Sequence, residues 1–427
     1  MAVRRTMRTG AMGLAAALAV TAFAQPAFAE TRGAEQSAGQ NSRSAGQHAA
    51  TQRAMEEMVA AGSPGLVAEA IDDQVWKGTA GVGDRRTGKP RGADDRFRIG
   101  SITKTFVATV LLQLEAEGRL DLDDTVDRWL PGMVRGNGND GRTITVRQLL
   151  NHTSGLYNYT NDAAFTDRNL LGGFLKHRFE THTPRELVRV ALRHKPDFAP
   201  GARHSYSNTG YILAGLIIEK VTGKSYEQAV RERVINRLGL RQTSLPGTNP
   251  FMPAKSSRAY SKLTRDPAAT KIYDATEHNM SWGWSAGDMI STTSDLNRFF
   301  TALMRGKLMP AKQLAEMRTA VPAPDNPVYS GYGLGLYNVR TSCGANLWGH
   351  SGGTVGSNSE TAITPDGRHT ISYNRNGDWG PLLVVEAEFC GNDKAKSDKA
   401  KSGMTKSEGA QSGKSEPGAV NRVPVFG

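Results

Sequence analysis

The sequence predicts an α/β fold of the α+β type, in which one antiparallel sheet built from both chain ends is flanked by helices and carries an inserted all-helical lobe. Three observations predict it. Strand-like apolar runs bounded by turn residues occur early, at 66–71 and 74–82, and late, at 331–337, 345–349, 361–364 and 369–374. Between them the apolar spacing is helical, at 104–117, 146–150, 184–192, 210–222, 226–237 and 295–304. A chain of 427 residues that is 38% hydrophobic and 22% charged can also bury a substantial core, which excludes a mainly disordered protein.

Taken in order, Arg4, Arg5 and Arg8 precede an apolar run over 11–22 and then Ala27-Phe28-Ala29, the pattern of a secretory signal with its cleavage site before Glu30. A twin-arginine system could also read Arg4-Arg5. Cleavage after Ala29 removes three arginines and no acid, so the formal charge of +12 becomes +9. Residues 30–47 read as a flexible leader, 48–390 as the ordered body, and 391–427 as a disordered tail of lysine, serine and glycine. Within the body, the α/β part covers about 48–120 and 285–390 and the helical lobe about 121–284. A helix over 52–61 stops at Gly62-Ser63-Pro64-Gly65, turn chemistry occupies 78–88, and Pro365-Asp366-Gly367 reverses the last hairpin.

No later segment approaches the roughly 20 apolar residues of a membrane span, so the expectation is a secreted monomer with no stable membrane anchor. The basic charge suits a polyanionic cell envelope. Nucleic acid is not an expected partner, because zinc-finger spacing and RNA-binding signatures are missing. The nine histidines form no metal-binding motif, and no metal or cofactor is expected. Cys343 and Cys390 are the only cysteines of an exported chain and are predicted to form one disulfide.

The chemistry concentrates at Ser101-Ile102-Thr103-Lys104, which opens a helix with Phe106, Val107, Val110, Leu111 and Leu114 on its apolar face. Residues three apart share a helix face, so the Lys104 amine can lie against the Ser101 hydroxyl. A desolvated lysine loses basicity and can take the serine proton. Tyr206-Ser207-Asn208, between a Pro-Gly turn and an apolar helix, supplies a phenol that can return a proton to a leaving group. Tyr159-Thr160-Asn161 has the same spacing in a less suitable context. Trp348-Gly349-His350-Ser351-Gly352-Gly353-Thr354 is a strand ending in glycines, whose backbone can approach a ligand closely. The amides of Ser101 and Gly353 could then form an oxyanion hole. Ser285, in Gly283-Trp284-Ser285-Ala286-Gly287, is a rival nucleophile, but a polar stretch precedes it and the next helix starts too late for a nucleophile elbow.

Together these segments resemble the serine penicillin-recognising enzymes, whose motifs are Ser-x-x-Lys, Tyr-x-Asn and a Lys- or His-headed triad ending in Gly. The likeness extends over 95–118, 145–162, 199–223, 281–303 and 331–335 and is strongest to the secreted serine D-alanyl-D-alanine carboxypeptidases, then to class C β-lactamases and esterases. It implies a β-lactamase/transpeptidase-like fold and an acyl-enzyme on Ser101, with Lys104 as base and Tyr206 as proton donor, acting on D-Ala-D-Ala-terminated peptides of the peptidoglycan type and acylated by β-lactams. It further implies substrate contacts for Asn208, Trp282, Phe165, His350, Ser351, Gly352 and Thr354, and places Cys343 and Cys390 where the group has its disulfide.

Two departures bear on the substrate. Where the carboxypeptidases carry a carboxylate-binding arginine after Gly-Leu-Gly-Leu, this chain has Tyr337-Asn338-Val339, with Arg340 beyond, and Gly353 replaces their threonine. A β-lactamase, an esterase or a D-amino-acid amidase of the same fold therefore stays open, as does a non-catalytic penicillin-binding-like receptor.

Overall fold

Nine strands from both ends of the chain form one antiparallel sheet in the computed structural model, which describes residues 48–324 and 326–391. The expected signal sequence, the 30–47 leader and the tail beyond 391 lie outside the described residues. The strands are β1 (Gly65–Ile71), β2 (Val75–Asp84), β3 (Lys89–Pro90), β4 (Val321–Pro322), β5 (Gly331–Tyr332), β6 (Tyr337–Arg340), β7 (Asn346–Thr354), β8 (Ser357–Ile363) and β9 (Thr370–Arg375). Their order is β4-β5-β6-β7-β8-β9-β1-β2-β3. The two chain ends meet where β1 pairs with β9, from Leu66 opposite Arg375 to Ile71 opposite Thr370.

Helices cover both faces, which is why β8 and β9 are buried almost throughout. On one face lie α1 (Ala49–Ala60) and helical residues 384–391, enclosing Met55, Met58, Leu66, Ala68, Tyr373 and Val384. On the other, α2 (Thr103–Ala116), α3 (Asn208–Thr222) and α4 (Thr293–Met304) build the larger core. Polar groups inside the sheet are paired: Tyr337 and Tyr373 donate to the two carboxylate oxygens of Glu360 at 2.7 and 2.9 Å. Helix α2 is buried along most of its length, beyond the single apolar face read from its sequence. Its interior polar groups find partners, as when Thr105 Oγ1 donates to the Gly335 carbonyl at 2.7 Å.

Several expected elements differ in detail. The strand expected over 331–337 is two strands, because the chain turns at Gly335, whose φ of +73° favours glycine. The stretch 78–88 is strand as far as Asp84, and only then does Gly88 N close a turn on Asp84 O at 2.9 Å. The helix expected over 226–237 contains a π turn, Arg231–Ile235. Two-residue ladders, Arg135–Gly136 with Asn139–Asp140 and Tyr260–Ser261 with Tyr273–Asp274, interrupt the helical lobe. A ladder of Phe97–Arg98 with Ile290–Ser291, which the sequence does not announce, holds the segment leading to Ser101.

The cysteines Cys343 and Cys390 form a disulfide, joining the residues after β6 to the C-terminal helical segment. Among the described residues, no helix is long and apolar enough to cross a membrane.

Candidate active site

Ser101 sits in one 3-10 turn, Gly100–Ile102, that runs directly into α2. The turn is anchored from behind, where Ile99 N donates to Met289 O at 3.0 Å and Met289 N donates to Thr103 Oγ1 at 3.3 Å. Lys104, one helical turn on, is fully buried. Its Nζ lies 2.9 Å from Ser101 Oγ, 2.7 Å from Asn208 Oδ1 and 2.7 Å from the Ala286 carbonyl. Burial holds the amine well below its ordinary 10.5. A neutral amine has two N–H groups and one lone pair. In that neutral form Asn208 Oδ1 and Ala286 O, which only accept, take both N–H groups, and the lone pair faces the Ser101 hydroxyl.

Tyr206 lies beside this pair, with Lys104 Nζ 4.9 Å from the centre of its ring. Its hydroxyl is buried and makes no well-formed hydrogen bond among the described residues. Burial pushes the phenol well above its ordinary 10, against the pull of Ser101, so it carries its proton. The amide of Asn208 holds Lys104 through Oδ1 and donates from Nδ2 to Thr160 Oγ1 at 3.1 Å. Asn208, expected to hold the substrate amide, is thus in contact with both Lys104 and Thr160.

Strand β7 crosses in front of the serine turn. A Cβ on Gly352 would stand 1.9 Å from Ile99 O and 2.8 Å from Ser101 N, so only glycine lets the two backbones approach. Gly353 N is equally close to the turn, 2.8 Å from where a Cβ on Gly100 would stand. His350 is buried. Its Nδ1 faces the Ser351 carbonyl, which can only accept, so the proton sits on Nδ1 and Nε2 accepts from the Tyr332 hydroxyl at 2.7 Å. Burial and the nearby lysine bring this imidazole down to about 3, and it is neutral.

Both His350 nitrogens, expected beside a substrate carboxylate, are thus engaged within the protein. Ser351 is half-buried on β7, opposite Glu360 of β8. Thr354, expected to touch substrate, is fully buried, because it follows Gly352 by two residues on the face packed against the serine turn. Trp282 and Phe165 are both largely buried core residues; Phe165 packs edge-to-face on Tyr159 at 5.2 Å.

The rival motifs have other partners. Ser285 is fully buried and donates to Tyr211 O at 2.9 Å, and the glycine-rich turn around it presents the Ala286 carbonyl to Lys104. Tyr159 donates its hydroxyl to Trp282 O at 2.6 Å. Sequence reasoning missed Ala286, Thr160, Tyr332 and His152. Ala286 acts through its backbone and leaves no side-chain signal, whereas His152 lies in a segment, 145–162, that the family likeness already marked.

The family model described as Beta-lactamase matches residues 51–383. Penicillin-binding protein 4 of Amycolatopsis lactamdurans is 28% identical over 309 residues, covering 69% of this chain and 76% of that protein. Penicillin-binding protein 4* of Bacillus subtilis is 27% identical over 312 residues, covering 70% of this chain and 65% of its own length. Among solved structures, a D-stereospecific amidohydrolase from Streptomyces sp. is 54% identical with a TM-score of 0.76, covering 81% of this chain and 99% of that one. The D-amino acid amidase from Ochrobactrum anthropi in complex with D-phenylalanine is 28% identical with a TM-score of 0.71, covering 82% of this chain and 99% of that one. With most of the described chain matched and a serine-lysine pair at its centre, this protein belongs to the β-lactamase family of serine hydrolases, homologous to penicillin-binding proteins and D-amino acid amidases.

Proposed function

We propose that this chain is an exported serine acyl-transfer hydrolase that cleaves amide and ester bonds of small D-amino-acid substrates. The observation that carries the reading is the buried Lys104 amine held 2.9 Å from Ser101 Oγ, with Asn208 Oδ1 and the Ala286 carbonyl each 2.7 Å from its nitrogen. Ser101 Oγ bonds to the substrate carbonyl carbon as Lys104 Nζ takes the hydroxyl proton. The oxyanion so formed is held by the amides of Ser101 and Gly353. Collapse breaks the bond to the leaving group, which receives the Tyr206 proton, and the proton on Lys104 replaces it. A water then attacks the ester by the same route in reverse and frees Ser101.

The preference for amides over a D-Ala-D-Ala carboxypeptidase substrate rests on the leaving-group side. A carboxypeptidase must bind a free carboxylate there. Arg340 is exposed and pairs with Asn346, seven residues along β7 from Gly353, about 23 Å away at 3.3 Å per residue. His350 is neutral with both nitrogens engaged. The 54% likeness to a D-stereospecific amidohydrolase supports the same choice.

The test compares Ser101-dependent hydrolysis of D-phenylalanine amide, L-phenylalanine amide and a peptide ending in D-Ala-D-Ala. The expected kcat/KM order is D-amide first, with the D-Ala-D-Ala peptide and L-amide at least tenfold lower. Faster release of D-Ala from the peptide would restore the carboxypeptidase reading, rapid turnover of benzylpenicillin would favour a β-lactamase, and a Ser101 adduct without any turnover would favour the receptor.

A further inference from the structure

His152 lies against Tyr206, and the chemistry proposed above gives it no task. The residue is buried, with its ring centre 4.1 Å from that of Tyr206 and 4.6 Å from that of Tyr332. Its backbone has φ +60°, a conformation that side chains other than glycine rarely adopt and that persists where the surroundings impose it. The bend serves three contacts with consecutive residues. Ser205 N donates to the His152 carbonyl at 2.9 Å, the ring packs on Tyr206, and Ser207 N donates to His152 Nδ1 at 3.2 Å.

One residue therefore holds the backbone on both sides of Tyr206 and the face of its ring. Accepting from Ser207 leaves the imidazole proton on Nε2, and burial, with His204, Lys104 and His350 nearby, keeps the ring neutral.

We infer that His152 is a positioning residue for Tyr206, fixing the phenol where it can protonate the leaving group. The inference rests on the proton-donor reading of Tyr206 and makes a prediction that a merely structural role does not. Ammonia leaving from an amide needs a proton, whereas p-nitrophenolate leaves an ester without one. Misplacing the donor must then harm amide cleavage more than ester cleavage.

His152→Asn tests this, because asparagine tolerates the bend and its Oδ1 can still accept from Ser207, while the ring is lost. His152→Gln is the second variant. Both are normalised to the fraction of Ser101 that reacts with a fluorophosphonate, so that misfolded molecules are not counted.

The expected result is a fall in kcat/KM for D-phenylalanine amide at least tenfold greater than the fall for p-nitrophenyl butyrate, the same pattern as Tyr206→Phe. If Tyr206→Phe shows that pattern and the His152 variants lower both substrates equally, or neither, the positioning role is overturned and the donor stands. If Tyr206→Phe itself lowers both equally, the donor role fails and this inference fails with it.

Discussion

Lys104 is a cation-forming group in a fully buried position, and its neighbours decide what it can do. Its three contacts are two carbonyl oxygens and the Ser101 hydroxyl, with no carboxylate among them to hold it charged. Burial depresses its pKa, so the reactive neutral amine accumulates as pH rises through a value well below 10.5. The pH profile of kcat/KM should therefore show an acid limb that rises to a plateau before pH 10, and Lys104→Ala should lower the plateau by about 10²- to 10⁴-fold. A limb centred near 10.5, or an unaffected rate, contradicts the base role. Ser101, Lys104 and Tyr206 were legible in the sequence because their chemistry belongs to side chains at short, fixed spacing. The Ala286 carbonyl and the bracket of His152 around Tyr206 were not, because backbone atoms and contacts across more than 50 residues leave no local pattern.

Among the elements, β7 carries the closest tolerance. Its backbone runs against the serine turn with no room for a methyl group at Gly352. Gly352→Ala should therefore separate the Ser101 and Gly353 amides and lower kcat by about 10²-fold, the effect of losing one oxyanion donor. Steady-state kinetics with thermal unfolding checks this: a normal kcat in a folded variant would show that β7 does not shape the site. Element boundaries were most legible where capping chemistry is explicit. The helices at 146–150 and 184–192 begin as read, because Thr145 with Gln148 and Thr183 with Glu186 form capping boxes. The apolar run 331–337 gave no sign of its break, which comes from Gly335 turning against α2.

At the scale of the whole molecule, the C-terminal helical segment is tied to the rest of the fold twice. The disulfide closes 47 positions and on loop entropy stabilises by about 4 kcal/mol, so denaturant unfolding under reducing conditions should lose up to that amount. An unchanged midpoint would show that the bridge is thermodynamically idle. The second tie is Glu388, which accepts from Thr51 at 2.6 Å and meets His48 and His369 at 2.9 and 2.7 Å. Burial would raise this carboxyl, but its hydrogen bonds to His369, His48 and Thr51 outweigh burial and hold it to about 2. Burial would lower His48, but Glu388 and Asp72 outweigh burial and raise it above 6.5.

The Glu388 contribution is thus full above its unfolded value near 4.5 and lost as pH falls towards 2, while the His48 contribution is full below 6.5 and lost as pH rises through its raised folded value. Stability from this tie should peak between about pH 4.5 and 6.5. Glu388→Gln should flatten that peak and cost roughly 3 kcal/mol, and equal pH dependence in both proteins would refute the linkage. The meeting of both chain ends in one sheet was readable from strand patterns alone, but this tie joins residues 340 apart and was not.

The central claim is an acyl-enzyme on Ser101, and rapid acid quench followed by intact-protein and peptide mass spectrometry tests it most directly. After brief exposure to D-phenylalanine methyl ester, the account predicts one added phenylalanyl group on the peptide containing Ser101, much less with the L-ester, and none in Ser101→Ala. An adduct that survives Ser101→Ala, or one mapped to another residue such as Ser285, would contradict it.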